Sequence, residues 1–131
     1  MKTFVDVKGY LTNMGFAFTQ EVPEDELVVV DDETKGIRNL VIDCESPLLI
    51  LEQLIFEFQN GDNASTYKRL LQINRSLLHG AFVLDESGKK VLFRHTLQLE
   101  NLDSNELEGS INALRLAMAE NADELIRFSK S

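Results

Sequence analysis

The sequence predicts an α+β fold of order α-β-β-β-α-β-β-α, with an antiparallel sheet packed against helices. Three segments carry this expectation. Residues 66–78 (TYKRLLQINRSLL) have helical spacing. Residues 80–85 and 91–99 read as two strands joined by a turn over 86–90, where Gly88 suits a positive φ. Residues 104–128 read as a long amphipathic helix behind the capping sequence Asp103-Ser104-Asn105-Glu106. Five strands are expected in all, with the closing helix laid on the sheet. A helix, a hairpin and a closing helix leave little room for a catalytic loop system.

The elements follow in order. Phe4, Val7, Leu11 and Met14 recur at spacings of three, four and three, one stripe of a helix over 3–14. Thr3 suits its cap, and Gly15 suits the position past its end, where a left-handed backbone is favoured. Gly9 inside it costs roughly 1 kcal/mol against Ala. Residues 16–20 are either the start of a strand or a linker from helix to sheet. Val22-Pro23-Glu24-Asp25 interrupts them. Residues 27–30 and 37–43 read as a hairpin around a loop that ends in Gly36. Pro47 cannot donate a ladder hydrogen bond, so the next strand starts at or after it.

Residues 48–58 are apolar on both faces. Leu48, Ile50, Leu54, Phe56 and Phe58 share one face with Glu52, and Leu49, Leu51, Gln53, Ile55 and Glu57 share the other. A central strand fits this better than a helix that would be apolar nearly all round. Residues 60–63 (NGDN) are a loop. In 91–99, Val91, Phe93, His95, Leu97 and Leu99 alternate with Leu92, Arg94, Thr96 and Gln98. The last stripe is Leu107, Ile111, Leu114, Met118, Ala122 and Leu125. One helix of about 25 residues would run about 37 Å at ~1.5 Å per residue.

A length of 131 residues favours one domain over 1–131, and 44% apolar content is ordinary for a folded chain. No apolar run is long enough to span a bilayer. Asp6 and Lys8 break the N-terminus where an export signal needs apolar residues, and Cys44 is the only cysteine. Both point to the cytoplasm. The formal net charge is −9, and the densest basic group is only Lys68, Arg69 and Arg75. Nucleic acid and anionic membrane therefore do not suit as partners, because both are held by clustered cations. An acidic surface would instead attract basic polypeptide segments.

Chemistry-bearing motifs are missing. His79 falls in a turn and His95 on the apolar face of its strand, with no serine or cysteine nucleophile motif beside either. Cys44 reads as a small apolar residue. The carboxylates at 24–26 and 31–33 sit in predicted turns, with no apolar surround to raise a pKa. The histidines and cysteine lack metal-ligand spacing, Asp85-x-Ser87-Gly88 lacks the rest of a calcium loop, and the glycines are isolated. No catalytic residue, metal or cofactor is expected.

Leu70-Leu71-Gln72-Ile73-Asn74, then Gly80-Ala81-Phe82-Val83-Leu84-Asp85-x-x-Gly88, then Leu97-x-Leu99-x-x-Leu102 and a long helix resemble the YbjN-like proteins. The pattern is similar also to the broader group of type III secretion chaperones of the Tir-chaperone (CesT) kind. Order and spacing carry the resemblance, most specifically over 67–128. It implies a non-enzymatic, usually dimeric protein-binding module that holds an extended client segment. Strand addition at a sheet edge is the expected mode, with Phe16, Phe18, Leu27 and Val29 as candidate contacts. Phe18→Asp should then weaken capture and leave the thermal melt nearly unchanged. The alternative is a stand-alone regulatory or scaffold module of the YbjN kind, acting through a folded partner. Tyr67, Leu70 and Leu71 cover more than one stripe of their short helix, and the related chaperones dimerise through this region. They are the expected homodimer contacts.

Overall fold

The computed structural model describes residues 1–61 and 63–131; Asp62, in the predicted loop at 60–63, lies outside them. The elements are α1 (Phe4–Asn13), β1 (Ala17–Val22), β2 (Leu27–Asp32), β3 (Ile37–Glu45), β4 (Leu48–Glu57), α2 (Ala64–Asn74), β5 (Ala81–Leu84), β6 (Lys90–Gln98), α3 (Ser104–Glu120) and α4 (Ala122–Ser129). The strands form one sheet in the order β1-β2-β3-β4-β6-β5, every neighbouring pair antiparallel. The class is the predicted α+β. Among the described residues the strand count rises from five to six, and the C-terminal helix divides in two.

The additional strand is β1. Only Phe18 and Val22 in it are even half-buried. An edge strand is held by main-chain bonds along one side, so it can form without an apolar pattern to mark it. Inner strands show their pattern plainly: Val28 pairs with Ile42 and Val30 with Leu40, and all four are buried. The local signals also hold. Thr3 and Asp6 form a reciprocal capping box on α1. Asp103 accepts from the Glu106 amide at 2.9 Å at the start of α3.

β4 corrects the predicted faces. Its pairing with β6 slips between Leu54 and Phe56. One extra residue reverses the alternation beyond it. Phe56 and Phe58 therefore turn into the core, while Leu54, expected on their face, stays 49% exposed. Gln53 is buried beside Leu49 and Leu51. Its amide is satisfied there, accepting from the Arg38 N–H at 3.1 Å and donating to the Gly36 carbonyl at 3.3 Å. Without those partners its burial would cost free energy.

The closing helix breaks at Asn121, which leaves helical geometry (φ −118°, ψ 14°) and donates its side-chain N–H to the Ala117 carbonyl at 2.9 Å. The break turns α4 back onto β4. Leu125 is buried there, and the Phe128 ring lies 6.2 Å from Phe56. All four helices send side chains into one core against one face of the sheet, among them Val7, Leu70, Leu114 and Leu125. On the opposite face Leu27, Val41, Ile50 and Leu92 lie outside that core.

Candidate partner-binding surface

A sheet of six strands has two edges, here β1 and β5, and each presents a row of main-chain donors and acceptors. The two are treated differently. Asn74, the last residue of α2, faces β5 with its side-chain amide. Its Oδ1 accepts from the Phe82 N–H at 2.8 Å, and its Nδ2 donates to the Phe82 carbonyl at 3.1 Å. One asparagine thus takes the place of a neighbouring strand at the centre of a four-residue edge. Along β1, among the described residues, no main-chain hydrogen bond of 17–22 runs outside its ladder with β2. Lys8 pairs with Glu21 at 3.4 Å beside it, a partly exposed contact that salt weakens.

The predicted contacts divide between two faces. Phe16 and Phe18 are half-buried and pack against the core. Leu27, half-buried, and Val29, 8% exposed, lie on the opposite face, opposite Val22 and Gln20 of β1. The four therefore flank one hairpin without forming one surface. Because Phe18 packs on the core, a charge at that position would cost stability, which departs from the unchanged melt expected from sequence. In α2 the three dimer candidates also separate. Tyr67 is half-buried with its ring 5.4 Å from Phe58, Leu70 is 6% exposed, and Leu71 is 70% exposed. Only Leu71 faces outward.

The titratable groups show where burial acts. Asp43 lies on the face away from the helices, between Leu27 of β2 and Ile50 of β4. Its Oδ1 is buried without a hydrogen-bond partner. Burial first, then the negative charge of Glu45, raises its carboxyl to about 6. Cys44 beside it points into the core, where burial pushes the thiol up to about 11. Such a thiol is a packing group rather than a nucleophile. His79 is exposed and His95 half-buried, their rings edge to face at 5.6 Å. Burial and then the charge of His79 lower the His95 imidazole below its usual value. Among the described residues no three His, Cys, Asp or Glu gather as a metal site, and no helix is long and apolar enough to cross a membrane.

Asn74 is the residue at this surface that sequence reasoning passed over. It belongs to the quoted Leu70–Asn74 motif, but one polar residue ending a helix looks like any other. A polar group eight residues ahead of Phe82, at the exit of a helix leading to an edge strand, is the signal that was present.

A family model described as CesT_Tir_1 matches residues 1–131. No curated protein matches the chain in sequence. Among solved structures, YbjN from E. coli is similar at 14% identity and a TM-score of 0.71, covering 93% of each chain. A chain of the HopA1–SchA chaperone–effector complex is similar at 10% identity and a TM-score of 0.62, over 97% of this chain and 92% of that one. The Yersinia pestis type III secretion chaperone SycH, in complex with a stable fragment of YscM2, is similar at 14% identity and a TM-score of 0.56, over 97% of this chain and 100% of the other. At these identities the likeness is one of fold.

Proposed function

Since the chain belongs to the CesT_Tir_1 family, we propose that it is a non-enzymatic protein-binding module of the cytoplasm that holds an extended client segment as an added strand along β1. The asymmetry of the two edges carries this reading. Asn74 occupies β5 at Phe82, while β1 keeps main-chain groups free for a partner. Strand addition supplies hydrogen bonds whatever the client sequence, and side chains flanking the hairpin supply apolar contact. Phe16 and Phe18 would serve on one side, Leu27 and Val29 on the other. The chaperone–effector and chaperone–fragment complexes among its fold relatives support a polypeptide partner.

The experiment is hydrogen exchange on the complex with the main partner recovered by affinity capture. Amides of 17–22 should gain protection, with little change at 81–84. Protection confined to any other surface would overturn the edge assignment. The fold likeness to YbjN, described as a candidate transcription regulator, favours a second reading in which the module acts through a folded partner. That reading expects protection spread over a compact surface, with 17–22 unchanged.

The module acts as a homodimer through the outer face of α2, where Leu71 is exposed at 70% and Leu78, in the turn beyond, at 91%. Tyr67 and Leu70 support that face from within. Light scattering at micromolar concentration should return twice the chain mass for the native protein and the single mass for Leu71→Asp. A native monomer would dispose of the dimer, and an Leu71→Asp dimer would move its interface elsewhere.

A further inference from the structure

The chain is acidic, yet one of its concavities is not. A groove of about 750 Å³ lies where β3 and β4 meet α3. Lys35 from the turn before β3, Arg38 from β3 and Arg115 from α3 line it, and among the described residues no carboxylate does. With 22 acidic and 13 basic residues in the chain, that is a local reversal of sign. Arg38 and Arg115 make no ion pair among the described residues. Arg115 donates to the Asn112 side chain at 3.3 Å, and the Asp32 carboxyl nearby is held below its usual value first by the Thr34 hydroxyl and then by the charges of Lys35 and Arg115. Lys35 pairs with Asp32 at 3.7 Å, and its ammonium stands 5.8 Å from the centre of the Phe16 ring. A smaller hollow of about 240 Å³ shares Lys35 and Arg115 and reaches Phe16, with Glu108 on its wall. The same lining also offers apolar surface. Leu54 is 49% and Leu116 58% exposed, from β4 and α3 respectively.

We propose that this groove binds an acidic, amphipathic polypeptide segment, with its carboxylates on Lys35, Arg38 and Arg115 and its apolar side chains on Leu54 and Leu116. The three cations come from three separate elements, and the same lining carries the exposed Leu54 and Leu116. A compact anion calls for donors converging on one point, whereas charges spaced along a segment suit this arrangement. Arginine can pair with the carboxylates of such a segment through two parallel hydrogen bonds. Strand addition plays no part in this site, so it stands apart from the β1 edge.

The probe is a short fluorescently labelled peptide of Glu and Leu at helical spacing, followed by anisotropy. It should bind saturably, lose affinity as salt is raised, and lose about tenfold, or ~1.4 kcal/mol, in Arg38→Glu and in Arg115→Glu. Both arginines are exposed, so the variants should melt like the native chain; Arg115→Gln replaces Arg115→Glu if it does not. Versions with Lys for Glu, or Ser for Leu, should bind far more weakly. The proposal fails if no saturable binding appears below about millimolar peptide, or if both charge reversals bind as the native chain does. Displacement by inorganic pyrophosphate would make the groove a compact-anion site. A fall in the mass of the free protein on Arg115→Glu would make its occupant a second copy. Either result overturns the assignment. Failure here leaves exchange protection at 17–22 untouched, so the two sites are judged separately.

Discussion

Gly80→Ala should destabilise the fold by roughly 3 kcal/mol. Gly80 sits in the turn between α2 and β5 at φ +75°. A Cβ there would lie 2.4 Å from Cζ and 2.8 Å from Cε1 of Phe93, and 3.1 Å from the Arg94 carbonyl oxygen. Phe93 cannot withdraw, because it is 2% exposed and packs edge to face on Phe82 at 5.9 Å. Two costs add. An L-residue held left-handed loses about 1–2 kcal/mol, and overpacking a filled core loses about 1–3 kcal/mol. The melting temperature should fall by on the order of 10 °C for a chain of this size. Gly36→Ala is the control. Gly36 has φ +74° but nothing within 4 Å of the added carbon, so only the conformational cost applies. Calorimetry on the two variants separates the contributions. Equal melts for both would show that Phe93 has room to move.

Asn74→Ala should cost about 2–4 kcal/mol and change the protein's state of association. It removes the donor and the acceptor that cap the β5 edge at Phe82, a residue only 4% exposed. A polar group left unsatisfied in such a place costs about 1–3 kcal/mol. The freed edge also becomes a template for another strand. Three measurements should agree: a lower urea midpoint, faster exchange of the Phe82 amide, and concentration-dependent growth in light scattering. Asn74→Asp discriminates further, because a carboxylate still accepts from the Phe82 N–H but cannot donate to its carbonyl. It should recover part of the stability and not all. If exchange at Phe82 and the midpoint both stay native in Asn74→Ala, β5 is as open as β1, and the preference for β1 as the client edge disappears.

The expected dimer and client contacts illustrate how far a sequence carries such assignments. Tyr67, Leu70 and Leu71 form one expected interface because they cover more than one stripe of a short helix and related chaperones dimerise through this region. The structure gives Tyr67 and Leu70 to the core and leaves Leu71 outside. Phe16 and Phe18 were grouped with Leu27 and Val29 because all are apolar near one hairpin. Pairing Phe18 with Val30, and Val22 with Leu27, puts the two sets on opposite faces of the sheet. Apolarity says that a side chain leaves water; it does not say which of two surfaces it leaves water for. The same limit hid the basic groove. Lys35 and Arg38 lie far from Arg115 in the chain, and no window along the sequence contains all three.

What the sequence determined by itself is local. The Thr3 and Asp103 caps, the glycine past α1, the alternation of β6 and the order of helix, hairpin and helix rest on bonds and periodicities spanning a few residues. Those forces are complete within a short segment, so they can be read there. Tertiary structure decided the rest. The bulge in β4 that turns Phe56 and Phe58 inward exists only because β6 pairs beside it. The break at Asn121 lays α4 on β4, where Phe128 meets Phe56. One edge is capped at Phe82 and the other left open because the end of α2 lies against β5. Each of these depends on pairing between residues remote in sequence, and such pairing is chosen by the packing of the whole sheet rather than by the residues at either end alone.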